Sequence, residues 1–66
     1  MKLTLNGQAR DVESGASLSD LLASVQMAEK LVLVELNGSA IPRADFSATK
    51  LTEADTVEIV RLAAGG

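Results

Sequence analysis

Two Asn-Gly pairs, at residues 6–7 and 37–38, constrain the fold of this chain more than any other feature of its sequence. Asn and Gly tolerate the positive φ angles that a tight type I′ turn requires, and such turns join antiparallel strands. The segments before both pairs favour strands, since Leu3 and Leu5 alternate with polar residues and "LVLVEL" is a short apolar run with two valines. The sequence therefore predicts two β-hairpins.

The return strands of both hairpins are expected to lie at sheet edges. The first, around Ala9 to Val12, is polar and weakly patterned, and Ser14-Gly15 ends it. The second, "SAIPR", is short because Pro42 cannot donate a hydrogen bond to a neighbouring strand. The clearest strand in the chain is "TVEIVRL", which follows a turn at "TEAD".

A helix is predicted between the two hairpins, in "SLSDLLASV". Ser17 can cap its N-terminus, and Asp20 can reach back to complete a capping box. Its apolar stripe has the spacing i, i+3, i+4, i+7 and consists of Leu18, Leu21, Leu22 and Val25. We expect a helix of about nine to eleven residues that needs packing against the sheet for its stability. The fold class predicted from these elements is α+β, with one main helix on one sheet face.

One helix cannot cover both faces of a sheet, and strand alternation indicates which residues lie on each. The inner face should hold Leu3, Leu5, Val32, Val34, Leu36, Val57 and Ile59. The uncovered face should hold Lys2, Thr4, Leu33, Glu35, Glu58, Val60 and Leu62. We predict that Leu33, Val60 and Leu62 form a partner-docking face. The competing interpretation is an ordinary surface, since apolar atoms contribute more than half of any protein surface.

Composition argues against an enzyme. The chain has 66 residues, no Cys and no His, which removes the thiolate nucleophile, the Cys-based metal site and the commonest general base. A domain this small has little room for a pocket of the usual ~300 to 1,000 Å³. We expect no catalytic residue, no metal site and no bound cofactor.

Charge and hydropathy limit the classes of partner that the chain can bind and the cellular location that we expect for it. The net charge is −3, and the six Lys and Arg are spread singly, so we expect no nucleic-acid binding. No apolar stretch approaches the ~20 residues that span a bilayer, and the start "MKLTLNGQ" lacks the hydrophobic region of a signal peptide. The expected location is the cytoplasm, with no membrane association.

The chain ends on "RLAAGG". Glycine has the largest entropic cost of ordering and no side chain to pack. One interpretation is a frayed terminus, and the other is a thin flexible segment that enters another protein. Both predict a folded domain over residues 1–62 and a flexible tail over residues 63–66.

The segments "ELNGSAIPR" and "DTVEIVR" and the terminal "GG" together resemble the thiamine-biosynthesis sulfur carrier protein family (ThiS). The similarity extends through "LNGQ" and "GASLSDLL" and covers nearly the whole chain. The resemblance implies a ubiquitin-like β-grasp fold, a mixed sheet of four to five strands. In that fold the first and last strands are adjacent and parallel at the centre of the sheet.

The resemblance also implies a function for the tail. A ubiquitin-activating-type adenylyltransferase would use ATP to adenylate the carboxylate of Gly66, which would then become a thiocarboxylate. A sulfur donor system such as a cysteine desulfurase would supply the sulfur, and thiazole synthase would take it up. Ala63, Ala64 and Gly65 would thread the terminus into the partner, and the carrier itself would catalyse nothing.

The sequence differs from the family pattern at three points, and three other interpretations compete with the resemblance. Ala54 stands where a glycine is frequent, Phe46 stands where a larger aromatic is common, and two alanines precede the glycines. The nearest rival is the small subunit of molybdopterin synthase, which shares the fold and the thiocarboxylate. A ubiquitin-like protein modifier and a non-catalytic interaction domain with inert glycines are the others.

Overall fold

Residues 1–62, which the computed structural model describes, form a five-stranded mixed sheet with one α-helix on one of its faces. The elements are β1 (Lys2–Leu5), β2 (Gln8–Asp11), α1 (Leu18–Ser24), β3 (Val32–Leu36), β4 (Ser39–Ile41) and β5 (Thr56–Arg61). The strand order is β2-β1-β5-β3-β4, in which β1 and β5 pair in parallel and the other neighbours pair antiparallel. The predicted α+β class and β-grasp fold are confirmed.

Both Asn-Gly pairs form the predicted hairpin turns. The φ angles are 49° and 82° at Asn6 and Gly7, and 51° and 85° at Asn37 and Gly38. A two-residue turn pairs Leu5 with Gln8, so β2 begins at Gln8, one residue before the predicted start. The two return strands, β2 and β4, lie at the edges of the sheet, as predicted.

The start of α1 follows the predicted capping box. The amide of Asp20 donates to Ser17 Oγ over 3.1 Å, and the amide of Ser17 donates to Asp20 Oδ2 over 3.0 Å. These bonds satisfy two main-chain donors that have no partner within the helix. They also hold the pKa of the Asp20 carboxyl below its usual value, the bond from the Ser17 amide being the largest cause.

The helix ends earlier than predicted, at Ser24 after seven residues. Gln26 adopts a φ of 60°, and the chain reverses there. The amide of Gln26 donates to the Ala23 carbonyl over 3.1 Å, and that of Met27 donates to the Leu22 carbonyl over 2.9 Å. This is the Schellman arrangement, which satisfies the last carbonyls of a helix. Val25, predicted as part of the helical stripe, is therefore the half-buried C-cap.

The core lies between α1 and the inner face of the sheet. Its buried apolar members are Leu3, Leu18, Leu21, Leu22, Val32, Val34, Phe46, Leu51, Val57 and Ile59. Leu5 and Leu36 pack against this core and are half-buried, since both end a strand next to a turn. Phe46 and Leu51 anchor the segment that crosses from β4 to β5, as predicted. The inner face predicted from alternation is confirmed.

The predicted domain ends at residue 62, which is also the last residue described, and the predicted tail over residues 63–66 lies outside the described residues. Within residues 1–62, no helix has the length and apolar character needed to cross a membrane.

Candidate functional site: the outer sheet face beside the end of β5

The outer sheet face is built on the antiparallel pairing of β3 with β5. Leu33 lies opposite Val60, and Glu35 lies opposite Glu58. The amide of Leu62 donates to the Leu31 carbonyl over 2.8 Å, which extends the same register one step beyond both strands. Three successive residue pairs therefore occupy this face, of which two are apolar and one is acidic.

Four of these residues form an exposed apolar patch. The exposed fractions are 51% for Leu31, 59% for Leu33, 58% for Val60 and 42% for Leu62. They are the large apolar side chains that stay exposed in residues 1–62, and the pairing of β3 with β5 brings all four to the same end of two strands. We call Leu31, Leu33, Val60 and Leu62 the apolar patch.

A groove continues from the apolar patch toward β4. Its volume is about 500 Å³, and Leu33 and Leu62 line it on the side of the patch. Pro42 and Arg43 line it at the end of β4, and Lys30 contributes a second cation. Glu29 also lines it, so the groove joins apolar walls to charged side chains of both signs next to Leu62, the last residue described.

The two turn asparagines hold β5 from both sides. The amide of Ile59 donates to Asn6 Oδ1 over 2.7 Å, and Asn6 Nδ2 donates to the Ile59 carbonyl over 3.3 Å. On the other side, the amide of Thr56 donates to Asn37 Oδ1 over 2.9 Å. These bonds fix the strand that carries Val60 and leads into residues 63–66.

A buried carboxylate, Asp55, supports the start of β5. Asp55 Oδ1 accepts from Asn37 Nδ2 and from Thr52 Oγ1, both over 3.0 Å, and its Oδ2 accepts from the Thr52 amide over 2.8 Å. Burial pushes the pKa of the Asp55 carboxyl up, but the bonds from Asn37 and Thr52 outweigh it and leave the pKa below its usual value. The carboxylate thus stays ionised and ties the β3–β4 turn to the turn before β5.

The structure brings together the three docking residues that the sequence predicted. Leu33, Val60 and Leu62 lie at one end of the outer face, and their role in docking stays a prediction. Leu31 was missed, although it lies two residues before Leu33 and the strand alternation could have indicated it. The predicted modification site Gly66 and the predicted threading residues Ala63, Ala64 and Gly65 lie outside the described residues.

Among residues 1–62, no group of three or more Asp or Glu side chains is arranged to hold a metal ion. A second concavity of about 380 Å³ lies between β2 and the start of α1, away from β5. Asp20 on its wall is already engaged in the capping box with Ser17. The outer face is therefore the candidate binding site within residues 1–62, and binding there stays a prediction.

Comparisons with known proteins agree with this geometry. The chain is similar to the sulfur carrier protein ThiS of Bacillus subtilis, with 37% identity over 97% of this chain and 98% of that protein. It is also similar to the crystal structure of the thiamine biosynthesis protein ThiS from Geobacter metallireducens. That structure has a TM-score of 0.85 and 35% identity, and the match covers 100% of both chains.

A third relative is much longer than this chain. A thiazole synthase of Magnetococcus marinus is 36% identical over 100% of this chain, and the chain spans only 20% of that protein's length. The match to the carrier of Bacillus subtilis, in contrast, is nearly full-length for both proteins. Residues 3–66 match the model of the ThiS family, and the chain belongs to that family.

Proposed function

We propose that this chain is a sulfur carrier for the synthesis of the thiazole ring of thiamine. The observation that carries the proposal is the nearly full-length match to a protein named as a sulfur carrier, at 37% identity. The outer face supports it, because an exposed apolar patch at the end of the strand that leads to the tail suits a protein that docks and delivers its terminus.

The chemistry takes place at Gly66. A carboxylate is a poor acyl donor, and adenylation with ATP by a ubiquitin-activating-type adenylyltransferase gives its carbonyl carbon a good leaving group. A donor system such as a cysteine desulfurase supplies sulfur as a persulfide, whose outer sulfur attacks that carbon and displaces AMP. A thiol then cleaves the resulting acyl disulfide, which releases the thiocarboxylate and leaves the thiol joined to the donor sulfur in a disulfide. The adenylyltransferase supplies the nucleotide site, and the carrier supplies the acyl group and the surface that binds the enzyme.

Docking and threading are separate tasks of this chain. Leu33, Val60 and Leu62 bind the activating enzyme through the apolar patch, while Ala63, Ala64 and Gly65 lead the terminus into its active site. Four extended residues beyond Leu62 span roughly 13 Å at ~3.3 Å each. Two alanines followed by two glycines present a narrow cross-section over that distance.

Thiazole synthase is the proposed acceptor of the sulfur. The thiazole synthase of Magnetococcus marinus contains a segment similar to this whole chain within a protein about five times as long. A carrier-like segment joined to a synthase in one polypeptide is consistent with two proteins that act on each other. The names of these relatives favour the thiamine pathway over the molybdenum-cofactor pathway.

Intact-mass spectrometry tests the proposal directly. After incubation with the activating enzyme, ATP and a sulfur source, we expect one oxygen of the Gly66 carboxylate to be replaced by sulfur. A variant that lacks Gly65 and Gly66 should melt at the same temperature as the wild type and should accept no sulfur. Modification at another residue, or none under conditions that charge an established carrier, would contradict the proposal.

The acceptor is tested by adding the charged carrier to each candidate enzyme. Thiazole synthase should consume the thiocarboxylate and return the carboxylate, whereas the large subunit of molybdopterin synthase should leave it intact. Consumption by the latter alone would assign the carrier to the molybdenum-cofactor pathway. Attachment of Gly66 to lysines would make the chain a protein modifier.

A further inference from the structure

Two carboxylates face each other across the central strands of the sheet. Glu35 on β3 lies opposite Glu58 on β5, and both side chains are exposed. Along an antiparallel ladder, hydrogen-bonded residue pairs alternate with pairs that are not hydrogen-bonded. The main-chain bonds from Asn37 to Thr56 and from Leu62 to Leu31 show that these two pairs are of the hydrogen-bonded kind. Glu35 and Glu58 fall on the same alternation, so their Cα atoms lie about 5.5 Å apart.

Within residues 1–62, neither Glu35 nor Glu58 has a lysine or arginine at ion-pair distance. The ion pair described within these residues joins Lys2 Nζ to Asp11 Oδ1 over 3.6 Å, across the β1–β2 pair. The residue opposite Glu35 on β4 is Ala40. Like charges directly opposite each other on a sheet destabilise it, so the acidic pair opposes folding of the isolated chain.

The acidic pair is continuous with the apolar patch. Glu35 follows Leu33 by two residues, and Glu58 precedes Val60 by two, so all four lie on the outer face. From the proposed function we infer that the activating enzyme binds the apolar patch and places a lysine or arginine between Glu35 and Glu58. A cation at that position relieves the repulsion between the carboxylates only in the complex.

A second copy of this chain fits the same surface poorly. The outward residues of β1, β3 and β5 include the two carboxylates and only one lysine, Lys2, which already pairs with Asp11. Two copies that meet through β1, β3 and β5 would each lose water from both carboxylates, and those strands hold no further lysine or arginine on this face. Lys30 and Arg43 lie beyond it, in the groove toward β4. The acidic pair therefore favours a basic partner over self-association.

The test compares Glu58→Lys with Glu13→Lys. Both substitutions raise the net charge by the same amount, and Glu13 lies in the exposed loop between β2 and α1. Glu58→Lys places an opposite charge across from Glu35, so its melting temperature should equal or exceed that of the wild type. Its affinity for the activating enzyme should nevertheless fall about tenfold, mainly through slower association.

Two further measurements sharpen the test. Glu13→Lys should change the affinity by less than about twofold, since charges remote from an interface act only through the screened field. Glu58→Gln should weaken binding less than Glu58→Lys and should reduce the dependence of affinity on ionic strength. A lower melting temperature of Glu58→Gln, with unchanged affinity, would assign the pair a structural role and overturn the inference.

Failure of this inference is distinguishable from failure of the proposed function. If the enzyme adenylates the wild type but binds Glu58→Lys as well as Glu13→Lys, the inference is wrong and the carrier function stands. If the enzyme does not adenylate the wild type, the proposed function fails. Sedimentation should show a monomeric wild type, and a dimer that Val60→Asp dissociates would identify a second copy as the occupant.

Discussion

The side-chain amide of Asn6 bonds both main-chain groups of Ile59. Its Oδ1 accepts from the Ile59 amide over 2.7 Å, and its Nδ2 donates to the Ile59 carbonyl over 3.3 Å. The amide of Asn6 also donates to the Val57 carbonyl over 2.9 Å. The asparagine that begins the first turn thereby prolongs the parallel β1–β5 ladder past the point where β1 ends.

Asn6→Gly should destabilise the domain, because glycine keeps the positive φ of the turn but leaves the Ile59 amide without its partner. An unsatisfied buried group costs about 1–3 kcal/mol, and the added glycine costs a further ~0.5–1 kcal/mol. Urea unfolding measures the sum. Gln8→Gly, which adds a glycine to the same hairpin without removing a side-chain bond to β5, should cost only the smaller amount. Equal losses would show that the Asn6 side chain does not hold β5.

Acid should destabilise the domain through Asp55 and Asp20. Both carboxyls have pKa values lowered by folding. Below the unfolded pKa of about 4, the unfolded chain binds more protons than the folded one, so the stabilisation is present above that pH and is lost as the pH falls. The free energy of unfolding, measured by urea denaturation at successive pH values, should decline on the acid side.

Asp55→Asn separates the buried carboxylate from the other acids. The Nδ2 group that replaces Oδ2 cannot accept the hydrogen bond from the Thr52 main-chain amide, so the variant should lose about 1–3 kcal/mol at neutral pH. The free energy of unfolding of the variant should also decline less steeply with falling pH than that of the wild type. A variant with the same slope as the wild type would assign the acid sensitivity to other groups.

Ala54→Gly should stabilise the domain. Ala54 has a φ of 71°, a left-handed conformation that costs a residue with a Cβ about 1–2 kcal/mol. Glycine removes that strain but adds about 0.4–1 kcal/mol of unfolded-state entropy, so the net gain should be about 0.5–1 kcal/mol. Ala48→Gly is the matched control, because Ala48 does not have a positive φ and its substitution should be destabilising. A loss of stability in both variants would contradict the prediction.

Val60→Asp and Ile59→Asp distinguish the two sheet faces. Val60 is 58% exposed, so its substitution should cost the free protein about 1 kcal/mol through lost β-propensity. The same change should reduce affinity for the activating enzyme at least tenfold. Burying one such side chain contributes ~1.5–3 kcal/mol, and a loss of ~1.4 kcal/mol lowers affinity tenfold. Ile59 is 7% exposed, and Ile59→Asp should unfold the domain. Thermal denaturation and titration calorimetry on both variants check these outcomes, and normal binding by Val60→Asp would refute the docking role.

Local sequence patterns were sufficient for the elements that short-range physics controls. The Asn-Gly turns need only two residues that tolerate positive φ, and the start of α1 needs only Ser17 and Asp20 three positions apart. The division of β3 and β5 into inner and outer residues follows from a period of two, so Leu33 and Val60 could be assigned to the outer face before their strands were paired.

Pairing between distant segments decided the rest. The positions of Leu31 and Leu62, and of Glu35 and Glu58, depend on the register of β3 against β5, two strands separated by the whole β4 crossing. The end of α1 at Ser24 depends on the amides of Gln26 and Met27, which donate to the last carbonyls of the helix. The left-handed conformation of Ala54 depends on a turn in which the Ala54 amide donates to the Lys2 carbonyl at 2.9 Å. Sequence periodicity determines which face a side chain occupies, whereas only long-range main-chain hydrogen bonds determine which residue it faces.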